Sequence, residues 1–237
     1  MSPEQRAGAR AGARGATGGA RPSPAAAAAA GQGALGSAGG APVTLAITGA
    51  SGAPYAVRAL EVLNGAGVPV RLIVSSTGWR LLREEVGIDG EEDLRARTGD
   101  WSRVVLYDDG DRGATPASGS APSRGMLVCP CSMGTVASIA QGTTRSLIER
   151  SADVALKERR PLVLVPRETP YSIIHLENML RLARAGAVIL PASPGFYHRP
   201  FTIGELVDFV VARALSHVGV QHDIGPRWQS GEPEPDA

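Results

Sequence analysis

The sequence predicts an α/β domain in layers, a parallel sheet with helices on both faces, preceded by a disordered N-terminal tail. Three observations predict it. From residue 43 onward, short aliphatic runs alternate with segments whose apolar residues recur at helical spacing, the pattern of βα units joined by right-handed crossovers. Leu162–Val165 is aliphatic at every position, as expected of a strand covered on both faces. Glycine, proline or serine follows most of the runs and marks tight strand-to-helix connections.

Val43–Thr48 reads as the first strand and runs into Gly49-Ala50-Ser51-Gly52-Ala53-Pro54. Pro54 suits the first turn of a helix, where its missing N–H costs nothing. Tyr55, Ala59, Leu60 and Leu63 share one helical face, and Gly65 and Gly67 stop the run. Val68–Val74 is a second strand, Trp79–Val86 a second helix and Glu91–Arg97 a short third. Val104–Tyr107 and Met126–Val128 are strands separated by a loop rich in Asp, Gly, Pro and Ser. Helices over 133–140 and 146–158 lead to the strand Leu162–Val165. Ser172–Ala185 is helical, Ala187–Leu190 is a strand, and Ile203–His217 is the last helix. One domain, residues 42–229, holds all of these elements, and residues 230–237 form a flexible C-terminal tail.

Residues 1–41 belong to no core. They are Ala, Gly, Arg, Ser and Pro in low-complexity order, with Leu35 as the only large aliphatic after Met1. Such a segment buries too little apolar surface to offset its ordering entropy. It lacks the apolar stripe of a transit peptide and the hydrophobic region of a secretory signal. The first forty residues carry four Arg and one Glu, so the formal net charge of +1 leaves the remainder at −2. That is no footprint for nucleic acid. No apolar run approaches the ~18 residues of a membrane span. Cys129 and Cys131 are two apart and cannot staple distant segments, which suits a reducing compartment and a cytoplasmic protein. Of the four histidines only His198 lies in a segment of functional character, so no metal is expected.

In open α/β sheets ligands bind beyond the carboxyl ends of the strands, so the strand ends are where chemistry is sought. The first ends in Thr48-Gly49-Ala50-Ser51-Gly52, a glycine turn opening a helix, suited to a phosphate or the edge of a flavin. It lacks the G-x-G-x-x-G spacing of the dinucleotide fingerprint. The second ends at Ser75-Ser76, and the fourth in Cys129-Pro130-Cys131-Ser132-Met133-Gly134-Thr135. The fifth ends in Pro166-Arg167-Glu168-Thr169-Pro170, and the sixth in a segment leading to Phe196-Tyr197-His198. Arg150, Lys157 and Arg167 are expected to form a cationic pocket beside Glu168, fit for a phosphorylated substrate. Lys157 is the only lysine in the chain. It either marks a position that needs a compact ammonium or survives by accident in an arginine-biased composition.

With these motifs together, the chain resembles the UbiX-like flavin prenyltransferases over residues 43 to about 229. The resemblance is carried by Thr48-Gly49-Ala50-Ser51-Gly52-Ala53, by Cys129-Pro130-Cys131-Ser132, and by the long run from Glu149 through Lys157 to Val163. It is carried further by Pro166-Arg167-Glu168-Thr169-Pro170, His175-Leu176-Glu177-Asn178-Met179 and Pro194-Gly195-Phe196-Tyr197-His198-Arg199-Pro200. It implies a three-layer flavodoxin-like or Rossmann-like fold, assembled as a homododecamer with FMN held between subunits.

The same resemblance assigns roles. Gly49, Ala50 and Ser51 would cradle the flavin, with Ser75, Ser132, Met133, Gly134, Thr135 and Arg150 completing the FMN site. Lys157, Arg167, Glu168, Tyr197 and Arg213 would hold dimethylallyl phosphate and assist departure of phosphate. Glu85 matches a flavin-proximal glutamate, with Glu84 as the alternative. The implied reaction joins the dimethylallyl group to N5 and C6 of reduced FMN without a metal, giving the cofactor of UbiD-type decarboxylases. Ser51 and Glu85 would handle the proton lost from C6, and Glu168 would shuttle one to phosphate. Two departures stand out. Ala56 occupies a position usually held by glycine, and Arg112 one where some relatives carry tryptophan. A flavin-dependent cysteine decarboxylase would place a catalytic histidine near the first helix, and no histidine precedes His175. A non-catalytic FMN carrier would not need the second phosphate site that the cations provide.

Overall fold

The computed structural model describes residues 40–225. The expected N-terminal tail, apart from its last two residues, and the expected C-terminal tail lie outside the described residues. Six parallel strands form one sheet: β1 (Val43–Ile47), β2 (Val70–Val74), β3 (Val104–Asp108), β4 (Gly125–Cys131), β5 (Leu162–Pro166) and β6 (Val188–Ile189). Their spatial order is β3-β2-β1-β4-β5-β6. The described helices are α1 (Ala53–Gly65), α2 (Ser76–Val86), α3 (Glu91–Thr98), α4 (Met133–Ala140), α5 (Leu147–Lys157), α6 (Ile173–Arg184) and α7 (Ile203–His217).

Alternation along the strands sorts side chains into two cores. Leu45, Ile47, Leu72 and Val74 pack with Leu60, Leu63, Leu82, Leu94, Val210 and Leu215, so α1, α2, α3 and α7 cover one face. Ala46, Ile73, Tyr107, Met126 and Val128 pack with Val136, Ile139, Leu147, Ile148 and Leu182, so α4, α5 and α6 cover the other. Strand progression reverses between β1 and β4, which pair in register from Val43 opposite Gly125 to Ala46 opposite Val128. The loops after these two strands therefore part and leave a crevice at the switch point.

Two boundaries differ from the sequence reading. The strand expected over Ala187–Leu190 is only Val188–Ile189. The strand expected to end at Val128 continues as β4 through Cys131, so Cys129 and Cys131 are core residues and not part of a turn. Small apolar side chains let the strand run on, and the Pro130 carbonyl accepts from Thr48 N at 3.2 Å and Thr48 Oγ1 at 2.9 Å. Thr48 Oγ1 in turn accepts from Ser132 N at 2.8 Å, fastening the two loops together. Cys129 enters the first core and Cys131 the second.

Burial pushes the Cys129 thiol up to about 12 and the Cys131 thiol higher still. Neither forms thiolate near neutrality, and thiolate is the nucleophile. Native protein at pH 8 is therefore expected to resist a disulfide-exchange reagent, with both thiols reacting once it is unfolded. Rapid labelling of either thiol in the native protein would contradict the burial.

No helix among the described residues is long and apolar enough to cross a membrane.

Candidate active site

Three helix N-termini converge on the crevice. Helix α2 is capped by Ser75, whose Oγ accepts from Gly78 N at 3.0 Å. Helix α4 is capped by Ser132, whose Oγ accepts from Thr135 N at 3.2 Å and lies 2.9 Å from Thr135 Oγ1. Helix α1 starts differently, because Gly52 at its cap has φ 130° and no side chain to offer. Its open N–H groups are met from α2. Glu85 Oε2 accepts from Gly52 N at 2.8 Å and from Ala53 N at 2.7 Å. Glu84 points elsewhere and pairs with Arg80 at 3.3 Å. Of the two candidate glutamates, Glu85 is the one at the glycine turn.

This capping decides where an anion can sit. Helix N-termini attract negative charge, but a carboxylate already occupies the start of α1 and repels a second anion. The α4 terminus carries only neutral hydroxyls, and the first-turn N–H groups of Met133 and Gly134 lie beside them, so a phosphate fits there. The turn also closes tightly on α2. A Cβ added to Gly49 would lie 2.4 Å from Thr77 Oγ1, so no larger residue fits at that position. The donors and the thin glycine wall suit FMN: phosphate at Ser132–Thr135, ring edge along Gly49–Ser51.

From β5, Arg167 crosses to the same turn and donates from Nε to the Ser51 carbonyl at 3.2 Å. Glu168 follows it, with Oε1 accepting from Thr169 N at 3.1 Å. Gly49, Ala50, Ser51, Ser75, Glu85, Ser132–Thr135, Arg167 and Glu168 thus belong to one rim of the sheet.

Lys157, Tyr197 and Arg213 lie apart from these residues, and Arg150 stands near the start of α5. Arg150 donates to Asp153 on its own helix at 2.7 Å. Lys157 ends α5, five positions before β5 begins, whereas Arg167 follows the end of β5. The five residues of β5 separate them, a strand length of roughly 16 Å at about 3.3 Å per residue. Lys157 is half exposed and its Nζ donates to Glu158 Oε1 at 2.6 Å. Of the cationic pocket expected from Arg150, Lys157 and Arg167 beside Glu168, Lys157 is therefore not brought to Arg167 within one chain, whereas Arg150 stands near the start of α5, whose first N–H groups bond to Asp109 after β3. A helix antiparallel to its strand delivers its last residue to the opposite edge of the sheet.

Tyr197 and Arg213 line a third location, an open cavity of about 820 Å³ shared with Phe209, Ser216 and His222. Tyr197 meets Phe209 edge-on at 5.8 Å, and His198 stacks on Phe209 at 5.4 Å. The sequence reading missed Thr48 as the clasp between the loops and missed Phe209 and His222 around this cavity. Thr48 could have been found as the hydroxyl directly before the glycine turn. Phe209 and His222 carry no local signal.

The Flavoprotein family matches residues 35–215. The flavin prenyltransferase UbiX of Halalkalibacterium halodurans is 47% identical over 190 residues, 78% of this chain and 92% of that protein. The chain belongs to the UbiX flavin prenyltransferase family. Among solved structures, AnUbiX (PadA1) in complex with FMN and dimethylallyl pyrophosphate is 39% identical with a TM-score of 0.75, covering 81% of this chain and all of that one. A dodecameric FMN-dependent UbiX-like decarboxylase from Escherichia coli is 41% identical with a TM-score of 0.72, covering 79% of this chain and 98% of that one. The Flavoprotein family match spans the glycine turn, α4 and the β5 segment alike. Among the described residues no group of three or more His, Cys, Asp or Glu could hold a metal ion.

Proposed function

We propose that this UbiX-family chain is a flavin prenyltransferase, joining the dimethylallyl group of dimethylallyl phosphate to N5 and C6 of reduced FMN with release of phosphate. The observation that carries this reading is the junction of Arg167 with the Ser51 carbonyl. It sets a fixed guanidinium and the adjacent Glu168 against a glycine turn suited to a flavin edge.

Reduced FMN, when bound, supplies the nucleophilic N5 and C6. Ser132–Thr135 hold its phosphate at the start of α4, and Gly49, Ala50 and Ser51 line the ring. Glu85 holds the N–H groups of Gly52 and Ala53 and thereby positions Ser51, and the proton lost from C6 would pass through the Ser51 hydroxyl to the Glu85 carboxylate. Arg167, Arg213 and Lys157 meet the charge that grows on the departing phosphate, and such fixed cations lower the barrier most where water is excluded. Glu168 passes a proton to that phosphate, and Tyr197 lies against the prenyl chain.

Lys157, Tyr197 and Arg213 are supplied by neighbouring copies in a homododecamer, with the site between subunits. Exposed apolar residues support assembly. Ile173, Leu176 and Leu180 of α6 are at least half exposed, and Phe201 is 93% and Ile203 77% exposed. A soluble monomer does not leave so many large apolar side chains in water without use. The prenylated product serves a UbiD-type decarboxylase.

The test is the mass of the flavin after anaerobic incubation with reduced FMN and dimethylallyl phosphate in the presence of a chelator. Gain of one prenyl unit is expected. A flavin of unchanged mass would reject the transferase and leave a flavin carrier.

A further inference from the structure

The segment between β6 and α7 brings three rings together against α7. Phe209 of α7 is partly buried and packs on the first core, which anchors its ring. His198 stacks on it at 5.4 Å with the planes 7° apart, and meets Tyr197 edge-on at 5.5 Å and 75°. Tyr197 meets Phe209 edge-on in turn, at 5.8 Å and 74°. Stacked and edge-on pairs at such distances are the arrangements that aromatic rings favour. The backbone closes the group: a Cβ added to Gly195 would lie 3.0 Å from Phe209 Cζ and 3.1 Å from Tyr197 Cε1. Beyond the rings Arg199 takes φ 52°, which a residue with a Cβ seldom adopts, and its N–H donates to the Phe196 carbonyl at 2.9 Å. This turn folds Tyr197 and His198 back over α7. Tyr197 still keeps 54% of its surface exposed and lines the large cavity beside Arg213.

An imidazole here could act as an acid–base group or as a ring, and its nitrogens decide. Nδ1 and Nε2 are both buried, and neither has a hydrogen-bond partner among the described residues. Glu205, the carboxylate within electrostatic reach of the imidazole, is taken up by the N–H groups of Phe201 and Thr202 at the start of α7. A general acid or base needs a hydrogen-bonded route to its proton, and these nitrogens have none. What His198 offers is a flat ring braced against Phe209 and Tyr197.

We infer that His198 is a positioning residue: stacked on Phe209, it holds the exposed Tyr197 ring in place over the cavity for the apolar chain of the allylic phosphate. The inference rests on the proposed place of Tyr197 against the prenyl chain. Without the brace the ligand itself would have to order the tyrosine, and affinity falls by the fraction of time the ring is misplaced.

Calorimetric titration of the assembled, FMN-loaded protein with dimethylallyl phosphate tests this without requiring turnover. His198→Ala removes the brace, His198→Gln removes the ring but keeps a polar group, and His198→Phe keeps a ring without nitrogens. His198→Ala and His198→Gln are each expected to weaken binding about two- to twelvefold, the range for one aromatic pair, with His198→Phe within about twofold of the parent protein. In turnover the loss should appear in KM with kcat little changed, because the contact is made equally before and during reaction. FMN affinity and subunit number should be unchanged. His198→Phe binding as weakly as His198→Ala would overturn the inference and return the role to the ring nitrogens. Unchanged binding in His198→Ala, parent-like binding in His198→Gln, or no binding by the parent protein would overturn it as well. A protein that shows the expected binding pattern and yet transfers no prenyl group would reject the proposed transferase and leave the inference standing. If His198→Ala changes the subunit number, His198→Gln against His198→Phe carries the test.

Discussion

Lys157→Arg is expected to slow prenyl transfer by roughly 30–150-fold while leaving FMN affinity near that of the parent protein. An ammonium in close contact with a phosphate oxygen cannot be replaced by a larger planar guanidinium, even though the charge is kept. Loss of one charge-assisted contact to a leaving group corresponds to about 2–3 kcal/mol of barrier. A lysine that merely faces solvent would tolerate the change, normally within about 0.5 kcal/mol of stability. The half-exposed Lys157, whose ion pair among the described residues is with Glu158, would look like such a residue if the chain acted alone. Single-turnover formation of prenylated flavin decides between the two.

The same variant tests where Lys157 acts. Arg167→Ala should also be slow, because it loses the guanidinium at the Ser51 carbonyl. If Lys157 and Arg167 meet only between copies, co-assembly of the two slow variants restores sites holding both native residues. Random mixing in equal amounts makes about a quarter of the sites complete in a symmetric oligomer. Mixed assemblies no faster than either parent would return Lys157 and Arg167 to the same chain and contradict the geometry of β5.

Glu85→Ala is expected to lower stability by about 1–2 kcal/mol, the cost of losing a helix cap together with its charge at the N-terminus. For a domain of this size that is a fall in Tm of roughly 2–8 °C. FMN affinity should drop as well, because the turn that presents Ser51 loses its anchor at Gly52 and Ala53. Glu84→Ala, which breaks only an exposed pair with Arg80, serves as the control and should stay within about 0.5 kcal/mol. Equal effects at the two positions would remove Glu85 from its place at the turn. Glu85→Gln should lie between, since an amide oxygen still accepts but brings no charge to the dipole.

The layered α/β class, the parallel strands and the identity of the glycine turn were all legible in the sequence. Each is written locally: a strand covered on both faces must be aliphatic at every position, as Leu162–Val165 is, and a strand must turn into a helix within a few small residues, as Thr48–Gly52 does. The motifs around Lys157 and Tyr197 also named the family correctly. Strand order, and with it the switch point between β1 and β4, emerged only from the folded chain. Folding also chose Glu85 over Glu84, because a carboxylate on one helix reaching the first N–H groups of another has no period along the chain. It moved Cys129 and Cys131 from a rim turn into two cores, since a short apolar run does not announce where its strand stops. It also parted Lys157 from Arg167, ten positions away in sequence, because a helix and its strand run in opposite directions and leave their joined ends at one edge of the sheet.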